Sequence, residues 1–290
     1  MRPLLSAIGV LLVAAVPTMA QTQPDEPISR TITHDGAERE YFVRLPAEFN
    51  PDRTYWLVVV AHGGGGSGRT FFMAYGIRRV ADQLGLDAIV VSPTFSNEDG
   101  LATSFPILGE GHFLEAVLAE LAGEYRLHPK ILLTGYSMGG QFAHRFAFGW
   151  PELVEAVAPL APGSWTTPDG RLLVDVIGSI DDPATYLASP GNAAGLEGRQ
   201  GMFTSRAAQV AGLRPQPGAE DIPFFVMCGT LDRRHPIAEQ FAASLQEAGF
   251  EVETSFPRTD HVPSDEATRR EFGRYFSETT EFFLRVTGGR

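Results

Sequence analysis

The spacing of apolar and polar side chains divides the chain near residue 55. Before this residue, Ile28–Thr33 and Glu38–Leu45 alternate apolar and polar positions around the turn His34-Asp35-Gly36, which predicts a β-hairpin. After it, short continuous apolar runs alternate with segments of helical spacing. A continuous apolar run is typical of a strand buried on both faces, so this pattern predicts a parallel sheet covered by helices.

The segments after residue 55 can be assigned one by one. Apolar runs predict strands at Tyr55–Ala61, Ala88–Val91, Ile131–Thr134, Val154–Leu160, Pro223–Cys228 and Glu251–Phe256. Helical spacing predicts helices at Phe71–Leu84, Glu110–Tyr125, Met138–Gly149, Ile237–Ala248 and Asp265–Val286. Residues 163–221 interrupt this rhythm with a stretch rich in Gly, Pro and Asp, in which one helix is predicted near Gln200–Ala211.

A Gly-x-Ser-x-Gly sequence, Gly135-Tyr136-Ser137-Met138-Gly139, follows directly on one of the apolar runs, and a helical pattern begins at once. A strand, a sharp turn at Ser and a helix together form a nucleophile elbow, which holds the Ser hydroxyl clear of the backbone. The turn is crowded two residues before and after the Ser, where both residues are Gly. An incidental Ser in a glycine-rich turn is the alternative for the pentapeptide alone.

A Ser hydroxyl becomes a good nucleophile only beside a base, and the base needs an acid that orients it. In a parallel sheet such residues lie at the carboxyl ends of strands. Asp232 follows the strand that ends at Cys228 and is the candidate acid, with a helix-capping role as the alternative. His261 follows the last predicted strand and is the candidate base, and His235 competes with it.

The tetrahedral intermediate of acyl transfer needs backbone N–H donors for its oxyanion. One donor is expected from Met138, which follows the candidate nucleophile. The other is expected from the glycine run after the strand that ends at Ala61, with Gly64 as the first choice and Gly65 as the alternative. A phosphate-binding loop is a poorer interpretation of this run, because the Lys of a Walker loop is missing.

These motifs together resemble the α/β-hydrolase superfamily over about residues 38–287. They are the glycine-rich run 62–68, Gly135–Gly140, Asp232 and His261. The resemblance implies an α/β-hydrolase fold, with a mostly parallel eight-stranded sheet, helices on both faces and a lid-like insert at residues 163–221. Segments 44–63 and 150–163 are similar to secreted feruloyl-esterase and polyhydroxyalkanoate-depolymerase-like esterases. Those relatives often contain disulfides, whereas Cys228 is the single Cys here.

Charge and the N-terminal segment narrow the possible partners. The 290 residues carry a formal net charge of −12, which argues against a nucleic-acid partner. The basic Arg2, the apolar run Leu4–Val16 and the small residues up to Ala20 predict a cleavable signal peptide at residues 1–20. The run is short for a membrane span, so stable membrane anchoring is not expected. We expect secretion or periplasmic localisation, with one domain at residues 21–290.

The sequence therefore predicts a secreted, cofactor-free serine esterase that acts on a small-molecule or polymeric ester. Trp165, after the sixth strand, and Tyr136 are the candidate substrate-binding residues, although Trp165 fits a packing role equally well. No His or Cys spacing matches a zinc site, and the Asp residues do not match a calcium loop. A peptidase or amidase of the same fold and an inactive binding protein are the alternatives. Acyl chain length and oligomeric state stay open.

Overall fold

The computed structural model describes residues 26–69, 71–96, 107–174, 178–181 and 213–288. The predicted signal peptide and the helix predicted near Gln200–Ala211 lie outside these residues. Every helix in the described ranges is too short or too polar to traverse a lipid bilayer.

The strands and helices of the described residues follow in this order along the chain. The strands are β1 Ile28–His34, β2 Ala37–Arg44, β3 Tyr55–Ala61, β4 Ala88–Pro93, β5 Leu127–Tyr136, β6 Val154–Leu160, β7 Ser164–Thr166, β8 Leu172–Val174, β9 Gly178–Ile180, β10 Phe224–Met227 and β11 Val252–Ser255. The helices are α1 Phe72–Leu84, α2 Ile107–Glu124, α3 Met138–Gly149, α4 His235–Glu247, α5 Glu266–Phe272 and α6 Arg274–Val286.

Eight strands form one sheet in the order β1-β2-β4-β3-β5-β6-β10-β11. The hairpin β1–β2 joins the sheet antiparallel to β4, and the strands from β4 to β11 run parallel to one another. This order confirms the mostly parallel eight-stranded sheet that the sequence predicts. The central strand β3 is completely buried because strands and helices surround it, as its seven apolar residues indicate.

The carboxyl ends of the central strands are level with one another. Ala61 of β3 pairs with Gly135 of β5, and Tyr136 pairs with Leu160 of β6. Leu160 in turn pairs with Met227 of β10. The loops that follow β3, β5, β6 and β10 therefore leave the sheet at one common edge, where a parallel α/β fold carries its site.

Helices cover both faces of the sheet, as the alternating side chains of β10 show. The ring of Phe224 lies 5.9 Å from Phe148 of α3 and 6.3 Å from Phe241 of α4. The next residue, Phe225, lies 5.2 Å from Phe282 of α6. Because successive residues of a strand point to opposite faces, α3 and α4 lie on one side and α6 on the other.

Two predicted segments differ from the structure in the number of elements that they contain. The closing helix predicted at Asp265–Val286 is divided at Gly273 into α5 and α6, which is consistent with the low helix propensity of Gly. The insert contains β7, β8 and β9, which form a separate three-stranded antiparallel sheet. Strands of three residues are too short to produce a recognisable alternation, so the sequence pattern does not reveal them.

Candidate active site

Ser137 occupies the sharp turn between β5 and α3. Its backbone angles are φ 56° and ψ −114°, a combination that is unfavourable for a residue with a side chain and costs about 1–3 kcal/mol. Hydrogen bonds from both sides hold this conformation: the Ser137 N–H donates to the Leu160 carbonyl at 2.8 Å, and the Gln141 N–H donates to the Ser137 carbonyl at 3.1 Å. The turn is therefore the strained elbow that its sequence predicts.

Glycine is required on both sides of Ser137 because the start of α3 touches the end of β3. A Cβ atom at Gly139 would lie 2.6 Å from the Ala61 carbonyl carbon and 2.8 Å from the His62 carbonyl oxygen. A Cβ atom at Gly135 would lie 2.9 Å from the Cβ atom of Ala61. These contacts bring the beginning of α3 against the glycine run that follows β3.

The structure brings the three candidate residues Ser137, His261 and Asp232 into one hydrogen-bonded chain. His261 Nε2 lies 3.1 Å from Ser137 Oγ, and His261 Nδ1 lies 2.9 Å from Asp232 Oδ2. Asp232 is almost completely buried, whereas His261 and Ser137 are partly accessible. The carboxylate accepts the Nδ1–H of the ring, which leaves the lone pair of Nε2 facing the Ser137 hydroxyl.

Backbone contacts join the loop of the candidate acid to the loop of the candidate base. The Thr230 N–H donates to the Pro257 carbonyl at 2.9 Å, and the Leu231 N–H donates to the Thr259 carbonyl at 3.1 Å. At Gly229, a Cβ atom would lie 2.7 Å from the Thr259 carbonyl carbon, so a larger residue does not fit. The position of His261 relative to Asp232 is thus set by main-chain geometry.

Asp232 is anchored through its second carboxylate oxygen. Oδ1 accepts hydrogen bonds from the backbone N–H of Arg234 and from its Nη1, both at 3.0 Å. Burial by itself raises the pKa of Asp232, but the hydrogen bond from His261 and the charge of Arg234 outweigh burial and lower this pKa below its usual value. Asp232 is therefore ionised at neutral pH.

Asp232 is not the cap of α4, because the N-cap position is Arg234 and no side-chain cap bond is present. Oδ1 of Asp232 supports the loop that enters α4, while Oδ2 faces His261. Arg234 is a member of the site that is not predicted from the sequence. The spacing of Asp232 and Arg234 could have indicated this contact. An Asp side chain commonly accepts a hydrogen bond from the backbone N–H two residues later, which brings the side chain of that residue near the carboxylate.

The glycine run lies directly beside the nucleophile. Gly63 to Gly66 form a turn closed by a 3.1 Å hydrogen bond, with a positive φ of 68° at Gly65, as a type II turn requires. A Cβ atom at Gly63 would lie 3.8 Å from the Cβ atom of Ser137. Met138 is the first residue of α3, so its N–H is one of those that a helix cannot satisfy internally. Donation by Met138 and Gly64 stays a prediction.

His62 fastens this run to the neighbouring β4 loop. Its Nε2 accepts a 3.0 Å hydrogen bond from the Phe95 N–H, so the ring proton is on Nδ1, which donates to the Gly63 carbonyl at 2.8 Å. Burial lowers the pKa of His62 below its usual value, which keeps the ring neutral. The neutral tautomer is the form that this pair of hydrogen bonds requires.

The two predicted substrate-binding residues, Trp165 and Tyr136, are both buried against other side chains. Trp165 has no exposed surface and stacks on Phe241 at 4.3 Å, so it is a packing residue and not an open wall of the site. Tyr136 is 6% exposed; its ring stacks on His261 at 4.7 Å, and its hydroxyl donates to the His261 carbonyl. The side-chain direction at the end of a strand decides both outcomes, and the sequence pattern does not contain it.

His261, and not the competing base His235, is hydrogen-bonded to Ser137. His235 contacts other side chains. Its ring lies edge-on to Phe256 at 4.7 Å, and its Nε2 is 3.7 Å from Glu239. In the ranges that the structure describes, no cluster of three or more His, Cys, Asp or Glu side chains has the arrangement of a metal site.

Comparison with known proteins gives the family and the fold of this chain. The model of the Alpha/beta hydrolase family matches residues 58–273, and the chain belongs to this family. A search of curated proteins gives no significant match.

Several solved structures share the fold at low sequence identity. A ferulic acid esterase has a TM-score of 0.65 and 16% identity, with 90% of this chain and 98% of that chain covered. A thermostable esterase has a TM-score of 0.56 and 18% identity, with 91% and 63% covered. The Pyrococcus horikoshii acylaminoacyl peptidase has a TM-score of 0.63 and 17% identity, with 91% and 42% covered. This chain thus spans less than two thirds of the latter two proteins.

Proposed function

We propose that this protein is a serine hydrolase that cleaves carboxylic ester bonds through an acyl-enzyme. The observation that carries the proposal is the hydrogen-bonded chain from Ser137 Oγ through His261 to the buried, ionised Asp232. A neutral imidazole between a hydroxyl and a carboxylate is the arrangement that activates a Ser nucleophile. The strained turn that presents the hydroxyl at the edge of the sheet supports the same proposal.

Acylation begins when Ser137 Oγ attacks the ester carbonyl carbon and His261 Nε2 takes the hydroxyl proton. The carbonyl oxygen becomes an oxyanion, which the N–H groups of Met138 and Gly64 stabilise. Collapse of this intermediate breaks the bond to the alcohol oxygen, and His261 gives its proton to the departing alcohol. Asp232 keeps the ring in the required tautomer and stabilises the imidazolium throughout.

Deacylation repeats these steps with water as the nucleophile. His261 takes one proton of the water, and the hydroxide oxygen attacks the acyl carbon. When the second intermediate collapses, the bond to Ser137 Oγ breaks and His261 returns the proton to it. The products are a carboxylic acid and the free enzyme, so the cycle needs neither a metal nor an organic cofactor.

An ester substrate is favoured over an amide because two of the similar structures described above are esterases. The acylaminoacyl peptidase makes a peptidase or amidase of the same fold the second candidate, although this chain matches only 42% of that protein. The signal sequence predicted at residues 1–20 supports secretion or periplasmic localisation. We include in the proposal both small-molecule and polymeric esters.

Probe labelling and a substrate panel test the proposal together. We expect a fluorophosphonate probe to label one site, located by peptide mass spectrometry at Ser137, because only an activated Ser reacts with it. The panel compares p-nitrophenyl acetate and butyrate, a feruloyl ester and a soluble polyester with an aminoacyl p-nitroanilide. Greater kcat/KM for the anilide would favour the peptidase. A chain that is neither labelled nor active would be a binding protein, and the proposal would be wrong.

Tyr136→Phe tests the contact between Tyr136 and His261. The ring stack is kept, but the hydrogen bond from the hydroxyl to the His261 carbonyl is lost, so we expect kcat to fall about three- to tenfold with KM unchanged. Tyr55→Phe is the matched control, because the Tyr55 hydroxyl is also buried and bonds the Asn50 backbone far from the site. An equal loss of kcat in both variants would contradict a positioning role for Tyr136.

A further inference from the structure

The carboxylate of Asp232 has two cationic partners on opposite oxygens. Oδ2 faces His261, which becomes an imidazolium during the proposed reaction, and Oδ1 is held by Arg234. The Arg234 side chain is 15% exposed and that of Asp232 is 1% exposed. Charges in such a setting are weakly screened by solvent, so each partner alters the strength of the other contact.

The charged and ionisable groups around this pair can be surveyed from every neighbouring element. Besides Arg234 they are Tyr136 at the end of β5, Cys228 after β10, Asp260 beside His261, and Tyr275 on α6. Burial raises the pKa of each of the two tyrosines and of the thiol, so these three groups are uncharged at neutral pH. Asp260 is exposed, and its carboxylate accepts the backbone N–H of His261.

Arg234 is therefore the cation that directly contacts the carboxylate in the described part of the site. We propose that Arg234 is a positioning residue for the catalytic acid: it orients Asp232 and limits how strongly Asp232 stabilises the imidazolium of His261. Only the kinetic consequences of this inference rest on the proposed function. The contacts among Asp232, His261 and Arg234 are present whether or not the protein hydrolyses an ester.

The orientation follows from the pair of hydrogen bonds to one oxygen. The backbone N–H and the Nη1 of Arg234 both bind Oδ1, so the carboxylate cannot rotate without losing two contacts, and Oδ2 stays directed at His261 Nδ1. Through these bonds the guanidinium acts on the position of the ring by way of the carboxylate.

The sign of the electrostatic effect is determined by like charges. The guanidinium opposes a second positive charge on the far side of the carboxylate, so it disfavours the imidazolium relative to the neutral ring. Its removal strengthens the attraction between Asp232 and a protonated His261. In a variant without this charge, the ring consequently holds its proton to higher pH than in the wild type.

The experiment compares Arg234→Met, Arg234→Gln and Arg234→Lys with the wild type and with Arg233→Met. Met removes the charge, Gln removes it but keeps an amide donor, and Lys keeps it. Arg233 has the same charge one residue earlier and is exposed, so its charge is better screened. The first measurement is the pH titration of the His261 ring signal by NMR, assigned by its absence in His261→Gln. The second is kcat/KM against pH for p-nitrophenyl acetate.

We expect the midpoint of the His261 titration to rise by about 0.5–1 pH unit in Arg234→Met and Arg234→Gln. It should stay within about 0.2 unit of the wild type in Arg234→Lys and Arg233→Met. The acid limb of kcat/KM should move by the same amount. At the pH of the wild-type midpoint, kcat/KM of the two neutral variants should therefore be about two- to fivefold lower than that of the wild type. If Arg234→Met does not fold, Arg234→Gln gives the same comparison.

An unchanged midpoint in both neutral variants would overturn the inference, and so would an equal rise in Arg233→Met. Absence of ester turnover in the wild type would instead contradict the proposed function. The NMR titration would still decide the role of Arg234 in that case, because it needs no substrate. The two failures are thus distinguishable.

Discussion

Ser137→Ala is expected to lower kcat for p-nitrophenyl butyrate by about 10⁴- to 10⁶-fold. The hydroxyl oxygen of Ser137 is the atom that forms the acyl-enzyme, so the variant cannot form this intermediate. A water molecule in the space of the hydroxyl would not be held by the strained turn in the position for attack. Residual hydrolysis comes from oxyanion stabilisation and substrate binding alone. The measurement is steady-state turnover at pH 8, with active enzyme counted by fluorophosphonate labelling in the wild type.

Two controls separate chemistry from folding in this experiment. Ala keeps the Cβ atom, so the positive φ at residue 137 is equally strained, and we expect the free energy of unfolding to change by less than about 1 kcal/mol. Ser244→Ala changes a buried Ser on α4 that bonds the Phe241 carbonyl, and it should keep kcat within twofold. Ser137→Ala activity within tenfold of the wild type would exclude Ser137 as the nucleophile.

Gly139→Ala is expected to destabilise the protein by about 3 kcal/mol or more. The new methyl group overlaps the backbone of Ala61 and His62 at the end of β3, and main-chain atoms cannot move aside as a flexible side chain can. The helix α3 must shift away from the sheet, which also separates Met138 from the glycine run. Urea unfolding gives the free energy, and kcat for an ester reports the disturbance of the site.

Gly149→Ala is the matched control on the same helix. A Cβ atom at Gly149 meets no other atom within 4 Å, and this glycine does not have a positive φ. We expect a change of less than about 1 kcal/mol, in the stabilising direction, because Ala has the higher helix propensity. Equal unfolding free energies for the two variants would show that α3 does not depend on close contact with β3.

Much of the fold can be predicted from the chain because buried parallel strands are continuous apolar runs. The limits of β3, α3 and β6 agree with the sequence pattern to the residue. The three short strands of the insert cannot be predicted in this way, since their three-residue lengths are below the length at which alternation is visible. The break at Gly273 is marked in the sequence only by one glycine, which helices also tolerate, so its position is not predicted.

Some residues of the site can likewise be predicted from the sequence, and others cannot. Ser137, Asp232 and His261 can be chosen from the sequence because each follows a predicted strand, and the parallel sheet brings strand ends to one edge. Trp165 and Tyr136 also follow or end strands, yet one packs on Phe241 and the other on His261. Strand position specifies the edge of the sheet, whereas the direction of a side chain depends on neighbours distant in sequence.

By itself, the sequence determined the strands of the main sheet and most of the helices, the nucleophile turn and the identity of the residues that could meet at the sheet edge. These features depend on local periodicity and on glycines that the backbone requires nearby. Tertiary structure alone decided that Tyr136 contacts His261, that Trp165 is buried, and that Arg234 shares the Asp232 carboxylate. The contact between Tyr136 and His261 joins segments that are distant in the chain, and it forms only when the packed sheet brings them within hydrogen-bond distance. Arg234 is only two residues from Asp232, but the direction of its side chain toward the carboxylate depends on how the folded loop is held.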